Sequence, residues 1–122
     1  MKDYIEQALL TESNIGSTML SESNTRLLHA GIGMATESGE FLDALKKHIF
    51  YGKPLDIVNL KEELGDLFWY MAIACDVIGT DFESEMRRNI AKLRLRYGHK
   101  FSQYDAENRS LDKEREVLEN DE

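Results

Sequence analysis

The amino-acid sequence predicts an all-α fold, a bundle of about four helices, and three observations support this. Apolar residues recur at steps of three, four or seven along two long segments, which is the spacing of one face of a helix. Pro54 is the only proline, so few positions interrupt a helix. No segment of useful length alternates apolar and polar residues as a half-buried strand does. We therefore expect helices packed on helices.

The N-terminal half predicts a short helix followed by a long one. Residues 4–10 are amphipathic, and the serine, asparagine and glycine residues of 13–23 are typical of a loop. A long apolar stripe predicts the second helix from about residue 22 to 51. Gly52 and Pro54 should end it, because glycine suits the position after a helix and proline cannot continue one.

The C-terminal half predicts two more helices and a polar end. The first runs from about residue 56 to 78, and either Asp56 or Asn59 has the residue type that caps its start. Asp81 is typical of the N-cap of the next helix, which should end at Gly98. Beyond it the chain becomes polar and charged, which predicts either a short helix or a tail.

Charge and composition exclude several classes of function. The chain has 15 Lys+Arg against 23 Asp+Glu, a formal net charge of -8, so we expect no nucleic-acid partner. The longest apolar run, Leu67 to Cys75, is too short to cross a bilayer, so no membrane partner is expected. Cys75 is the only cysteine, which excludes an intrachain disulfide. Without a signal-peptide pattern at the N-terminus, these features predict a cytoplasmic protein.

Four carboxylates form two matching pairs on the two long predicted helices. The first pair is Glu37 and Glu40, and the second is Glu63 and Asp66. Residues three apart on a helix are neighbours, with Cβ atoms about 5–6 Å apart, so each pair can converge on one point. Both pairs have the form acid-x-Gly-acid. Glycine is costly inside a helix, so Gly39 and Gly65 predict a close approach of two helices beside the acids.

The acids interrupt apolar stripes rather than lying on a solvent face, as Met34 and Phe41 show on either side of Glu37. Carboxylates that face one another repel, so they need protons or cations. All-oxygen ligands suit Mg²⁺, with Mn²⁺ as the alternative. Solvated surface acids are the other interpretation, since most helical glutamates are exposed. The two matching pairs favour a divalent-cation site.

With both acid pairs, the chain resembles the MazG-like nucleotide pyrophosphohydrolases, the all-α NTP pyrophosphatases, and in particular their small stand-alone or phage-type members. The likeness covers about residues 20–109, so we assign residues 1–109 to this domain and 110–122 to a charged tail or short helix. It rests on Glu-x-x-Glu on one helix and Glu-x-x-Asp on the next, and on these further segments: Arg26-Leu27-Leu28-His29-Ala30, Lys46-Lys47, Glu62-Glu63-Leu64-Gly65-Asp66, Trp69-Tyr70, Asn89-Ile90-Ala91-Lys92-Leu93 and Arg96-Tyr97.

The resemblance implies Mg²⁺-dependent hydrolysis of a nucleoside triphosphate to the monophosphate and pyrophosphate. The four acids would hold the metal, and which of them acts as general base stays open. Asn89 and Lys92 match positions that reach substrate phosphate, and Arg96 lies on the same helix face. Trp69, Tyr70, Phe50 and Tyr51 are the candidates to contact the base, and Tyr70 is preferred because it lies four residues after Asp66; aromatic residues at helical spacing are, however, more often part of a core.

Three alternatives remain at this stage. Two share the chemistry: a phosphoribosyl-ATP pyrophosphohydrolase, and a deoxynucleotide-specific enzyme such as a dUTPase or dCTPase. The third is a non-catalytic metal-binding helical module. The resemblance also implies a homodimer or homotetramer, and a chain this short with long amphipathic helices would gain a core by pairing.

Overall fold

The computed structural model of the protein describes residues 2–13 and 20–120, and these residues fold into helices without a β-strand. The predicted all-helical class is confirmed. Residues 14–19 of the predicted loop lie outside the described residues. In the described ranges, no helix is both long enough and apolar enough to cross a membrane. The helices are α1 (Lys2–Leu9), α2 (Glu22–Tyr51), α3 (Ile57–Ile78), α4 (Phe82–Tyr97), α5 (Gln103–Glu107) and α6 (Leu111–Glu119).

Short-range signals fix the ends of the two long helices. Ser21 caps the start of α2, where its hydroxyl oxygen accepts a hydrogen bond from the Asn24 backbone N–H at 3.1 Å. Gly52 ends α2 with φ of 63°, a left-handed conformation that glycine adopts without a Cβ clash. The five residues between α2 and α3 therefore form a tight reversal, and the two helices pack against each other along their length.

The contact between α2 and α3 is close at Gly33. A Cβ atom at this position would overlap the ring of Tyr70, so the missing side chain makes room for the tyrosine. Tyr70 also meets His29 edge to face, with ring centroids 5.6 Å apart. At the end of the hairpin away from its turn, Arg26 of α2 pairs with Asp76 of α3 at 2.6 Å.

The C-terminal helices form a separate group in which α5 and α6 pack against α4. Its centre is Glu114 of α6, which is 4% exposed. Both of its carboxylate oxygens accept hydrogen bonds from Arg96 of α4, at 2.8 and 2.6 Å. Arg109 donates a further bond at 2.8 Å. These two guanidinium groups lower the pKa of Glu114 to about 2.

The prediction of a single bundle of about four helices needs correction. The described residues form a hairpin of α2 and α3 and a group of α4, α5 and α6, with at most slight packing between the two. Phe68 of α3 and Phe82 of α4 meet edge to face where the two parts join. Apolar spacing reveals which residues share a helix face, but it does not reveal which faces meet. The five-residue helix α5 is also too short to show a period.

Much apolar surface stays exposed in the single chain. Among the residues that the structure describes, Ala30 and Leu60 are the buried hydrophobic side chains, while Leu28, Ile32 and Trp69 are each more than half exposed. The chain exposes 10285 Å² for a mass of 14.1 kDa. A folded monomer of that mass exposes about 6,700 Å², so the excess is about 3,500 Å².

We predict that Gly33→Ala destabilises the protein by about 1–3 kcal/mol, because the added methyl group displaces Tyr70 from the helix contact. Urea unfolding followed by circular dichroism measures the change. Gly31→Ala is the matched control, because a Cβ there meets open space in the chain. It should be neutral or slightly stabilising, as alanine is the better helix former. Equal stability of the two variants would contradict the account of this contact.

We also predict that Glu114→Gln lowers the melting temperature at neutral pH, because the charged partner of Arg96 and Arg109 is lost. The difference in melting temperature between the wild-type protein and Glu114→Gln should be largest above pH 4.5, the usual pKa of glutamate. It should shrink as the pH falls toward about 2, where Glu114 gains its proton in the folded protein. Melting curves across this range test it. Glu116→Gln, an exposed change on the same helix, is the control. A difference that is independent of pH would contradict the ion-pair explanation.

Candidate active site

Three of the four predicted acids meet on the α2–α3 hairpin. Glu37 comes from the middle of α2, and Glu63 and Asp66 come from the second and third turns of α3. One carboxylate oxygen from each residue lies within 4.8 Å of the other two. The spacing of three on α3 places Glu63 and Asp66 on one face, and the antiparallel packing brings Glu37 opposite them.

Glu63 is the most buried of these acids, at 3% exposure. Its Oε1 accepts a hydrogen bond of 2.7 Å from the side-chain amide of Asn59. Its Oε2 is buried and meets no N–H or O–H donor of the described residues. A buried carboxylate oxygen without a donor is costly, so it requires a proton or a cation.

The surroundings of Glu37 also disfavour a full set of negative charges. Burial raises the pKa of the Glu37 carboxyl group, and the neighbouring carboxyl group of Glu63 raises it further. The charges of Glu40, Asp66 and Glu63 act in the same direction. An oxygen-binding divalent cation would supply the missing positive charge, so the carboxylates suit Mg²⁺ or Mn²⁺.

Glu40 lies beside this group rather than within it. Its side chain is exposed and, with Glu63, lines a cavity of about 330 Å³ at the turn between α2 and α3. Asp43 lines the same cavity but is paired at 2.6 Å with both Lys46 and Lys47. Hydrogen bonds from Lys46 and Lys47 lower the pKa of Asp43 to about 2. The lysine side chains therefore occupy Asp43. Glu40 and Glu63 are the two glutamates that line this cavity and could bind a ligand there.

The explanation predicted for the two glycines between the acids was wrong. A Cβ atom at Gly39 or Gly65 would meet no atom within 4 Å. Both positions face open space in the chain. The close approach of the two helices lies at Gly33, six residues before Gly39. Sequence spacing placed these glycines beside the acids, but it did not show which side of each helix faces its neighbour.

The two neighbouring aromatic candidates, Trp69 and Tyr70, differ in their surroundings. Tyr70 is half-buried and is held between Gly33 and His29 in the helix contact. Trp69 is 57% exposed and meets Tyr70 edge to face, with ring centroids 4.9 Å apart. Trp69 is thus the more accessible ring, while Tyr70 has a packing role whether or not it also contacts a substrate.

The candidate phosphate-binding residues on α4, Asn89, Lys92 and Arg96, lie apart from the acids within one chain. Asn89 is exposed and Lys92 is half-buried, and neither lines the cavity beside Glu63. Arg96 is 13% exposed, and Glu114 occupies its guanidinium group. Because α4 has at most slight packing against α2 or α3 in the described ranges, the single chain does not bring these side chains to the acidic group.

A larger cavity of about 430 Å³ lies elsewhere, between the turn before α4 and the end of α6. Arg87 and Arg88 line it, together with Asp81 and Ser84 at the start of α4. Asp81 and Ser84 serve as the helix cap, and Arg88 pairs with Glu85 at 3.2 Å. The described residues that line this larger cavity include no group of acids like the one on α2 and α3. We therefore choose the smaller cavity as the candidate site because of its acidic residues, not because of its volume.

Comparison with protein families agrees with the two-helix acidic site. Residues 27–101 match the model of the MazG nucleotide pyrophosphohydrolase domain, which covers well over half of the 122-residue chain and both acid pairs. The chain belongs to this family. No curated protein and no solved structure matched the chain. Membership in the family indicates a nucleotide pyrophosphohydrolase and confirms the resemblance drawn from the acid pairs.

Asn59 is a candidate site residue that sequence reasoning missed. Its position near the start of α3 suggested a helix cap, but Asp56 has that role and accepts the Asn59 backbone N–H at 3.0 Å. The signal that points to Asn59 is its spacing of four from Glu63, which puts an amide donor beside a buried acid. Lys53 also lines the cavity, and the sequence pattern did not single it out.

Proposed function

We propose that this protein is a Mg²⁺-dependent pyrophosphohydrolase that converts a nucleoside triphosphate to the monophosphate and pyrophosphate. The observation that carries the proposal is the convergence of Glu37, Glu63 and Asp66, in which Glu63 is buried and has one oxygen, Oε2, without a donor. The MazG domain match supplies the reaction class. Phosphoryl transfer depends mainly on positioning and on charge neutralisation, which suits a site made of metal-binding acids.

In this proposal the acids hold the cation, and Glu40 joins the other three from the rim of the cavity. When bound, the metal supplies positive charge beside the phosphates and lowers the pKa of water. One of the four carboxylates accepts the proton of the attacking water. Trp69 is more exposed than its neighbour Tyr70 and is proposed to contact the nucleotide base. Mn²⁺ is the alternative metal, because it accepts the same oxygen ligands.

The reaction is tested by incubating the protein with Mg²⁺ and a panel of triphosphates, with ³¹P NMR of the products. We expect monophosphate and pyrophosphate, with Glu63→Gln reducing kcat/KM at least about 100-fold, since even outer residues of metal sites commonly contribute 10–100-fold. Glu62→Gln is the matched control, because Glu62 is an exposed glutamate directly before Glu63 in the sequence. This variant should stay active.

The products also separate the alternatives. A strong preference for dUTP or dCTP within the panel would identify a deoxynucleotide-specific enzyme, and turnover of phosphoribosyl-ATP alone would identify that activity. Release of orthophosphate would contradict cleavage between the α and β phosphates. Thermal stabilisation by Mg²⁺ without turnover of any of these nucleotides would overturn the enzymatic proposal and favour the non-catalytic module.

We further propose that the protein works as a homodimer or homotetramer. The excess exposed area of about 3,500 Å² per chain is larger than the roughly 800 Å² that each partner buries in a standard interface. Exposed apolar residues on both hairpin helices, such as Leu28, Ile32 and Phe68, supply the surface. A second copy can also bring its α4 to the acids, so that Asn89 and Lys92 donate to substrate phosphate across the interface. Arg96 is left out, because Glu114 occupies its guanidinium group.

Mixed assemblies test this arrangement. We expect Lys92→Ala to raise KM about tenfold or more, because a donor to a charged phosphate is lost. Assemblies that contain one Glu63→Gln chain and one Lys92→Ala chain should recover up to about half of wild-type kcat/KM, since one site per pair then has both residues. Light scattering of the doubly tagged, purified mixture confirms that mixed assemblies form. A monomer, or a mixture as impaired as its components, would contradict the proposal.

A further inference from the structure

The hydrogen bond between Asn59 and Glu63 connects the first turn of α3 to the acidic group. The Asn59 Nδ2 donates to Glu63 Oε1 at 2.7 Å, and both residues line the cavity beside Glu40. The Oε2 of Glu63 remains buried without a donor. One carboxylate oxygen of Glu63 lies within 4.8 Å of oxygens of Glu37 and Asp66. Oε1 is thus held by the protein, and Oε2 is the oxygen of this carboxylate that is left for a cation.

The cap of α3 leaves the Asn59 side chain available for this bond. Asp56 caps the helix through its Oδ1, which accepts the backbone N–H of Asn59 at 3.0 Å. The side-chain amide therefore makes no contribution to the cap. It is half-buried and lies four residues before Glu63, one helical turn away on the same face.

We propose that Asn59 is a positioning residue for the metal site, which fixes the Glu63 carboxylate so that Oε2 faces the cation. This inference rests on the proposed metal-dependent function. Ligand carboxylates are commonly oriented by an outer hydrogen bond, and loss of such a partner typically weakens metal binding 10–100-fold. Here the outer partner and its ligand lie on the same helix, so the orientation depends on one turn of α3 rather than on a distant loop.

The chemistry of the amide suits this position. It donates a hydrogen without adding a charge, whereas a carboxylate here would add another negative group beside Glu63, and a lysine would compete with the cation for the carboxylate. A held carboxylate loses less rotamer freedom when the cation binds, which favours affinity. The contribution of Asn59 should therefore appear in metal affinity itself, before any substrate is present.

The experiment is a titration of the full-length protein with Mn²⁺, followed by the loss of the electron paramagnetic resonance signal of free Mn²⁺. We expect Asn59→Ala to raise the Mn²⁺ dissociation constant about 10–100-fold. The fold should be kept, because alanine is favourable in the first turn of a helix and the Asp56 cap uses only the backbone of residue 59. Asn59→Gln keeps the amide and should retain more affinity than Asn59→Ala.

Gln103→Ala is the matched control. It removes an amide–carboxylate hydrogen bond of the same spacing, from Gln103 to Glu107 at 2.8 Å, on the exposed helix α5 away from the acids. It should leave Mn²⁺ affinity unchanged. Wild-type affinity in Asn59→Ala, or equal weakening in Asn59→Ala and Asn59→Gln, would overturn the role of Asn59 alone. Failure of the wild-type protein to bind Mn²⁺ would overturn the metal site and this inference together.

Discussion

The acidic group depends on one buried carboxylate held among like charges. Glu63 is 3% exposed, and an oxygen of Glu63, of Glu37 and of Asp66 lie within 4.8 Å of one another. Mutual repulsion penalises three negative charges at this spacing, and burial adds a penalty at Glu63, although Asp66 is exposed. The hairpin of α2 and α3 must therefore be stable enough to hold the acids together. The tight contact of Tyr70 on Gly33 and the cap at Asp56 provide this framework.

In the proposed function, a single chain holds only part of the site. The hairpin supplies the acids, while Asn89 and Lys92 of the proposed phosphate site lie on α4, outside the hairpin. The apolar faces of the hairpin stay uncovered, with Leu28 and Ile32 each 54% exposed. Covering these faces with a second copy would remove apolar area from water and would complete the site in one step. Stability and activity are thus expected to depend on the same assembly.

Local features of the structure were predictable from sequence because their causes are local. Gly52 and Gly79 end helices, and Asp81 starts one, as their residue types indicate. The acid pairs were recognisable because residues three apart share a helix face. Features that depend on which faces meet were not predictable. The contact of Tyr70 with Gly33 and the separation of α4 from the hairpin are features of this kind.

Side-chain partners across long sequence separations were equally hidden. The sequence pattern predicted that Arg96 contacts phosphate. In the structure the Arg96 guanidinium group donates hydrogen bonds to Glu114, eighteen residues later in the chain. Asn59 resembled a cap, and only its geometry shows the bond to Glu63. The predicted roles of all the site residues in the reaction, those of Glu37, Glu63 and Asp66 included, stay predictions, because they concern a metal, a substrate and a second copy of the chain.

The most direct measurement is anomalous X-ray diffraction from crystals of the protein grown with Mn²⁺. The account predicts a strong anomalous peak on the hairpin within about 2.0–2.3 Å of Glu63 Oε2, with Glu37 and Asp66 among the other ligands. Such a peak would establish that these acids form a divalent-cation site. A Mn²⁺-saturated crystal without a peak between α2 and α3, or with its peak at other acids, would contradict the central claim.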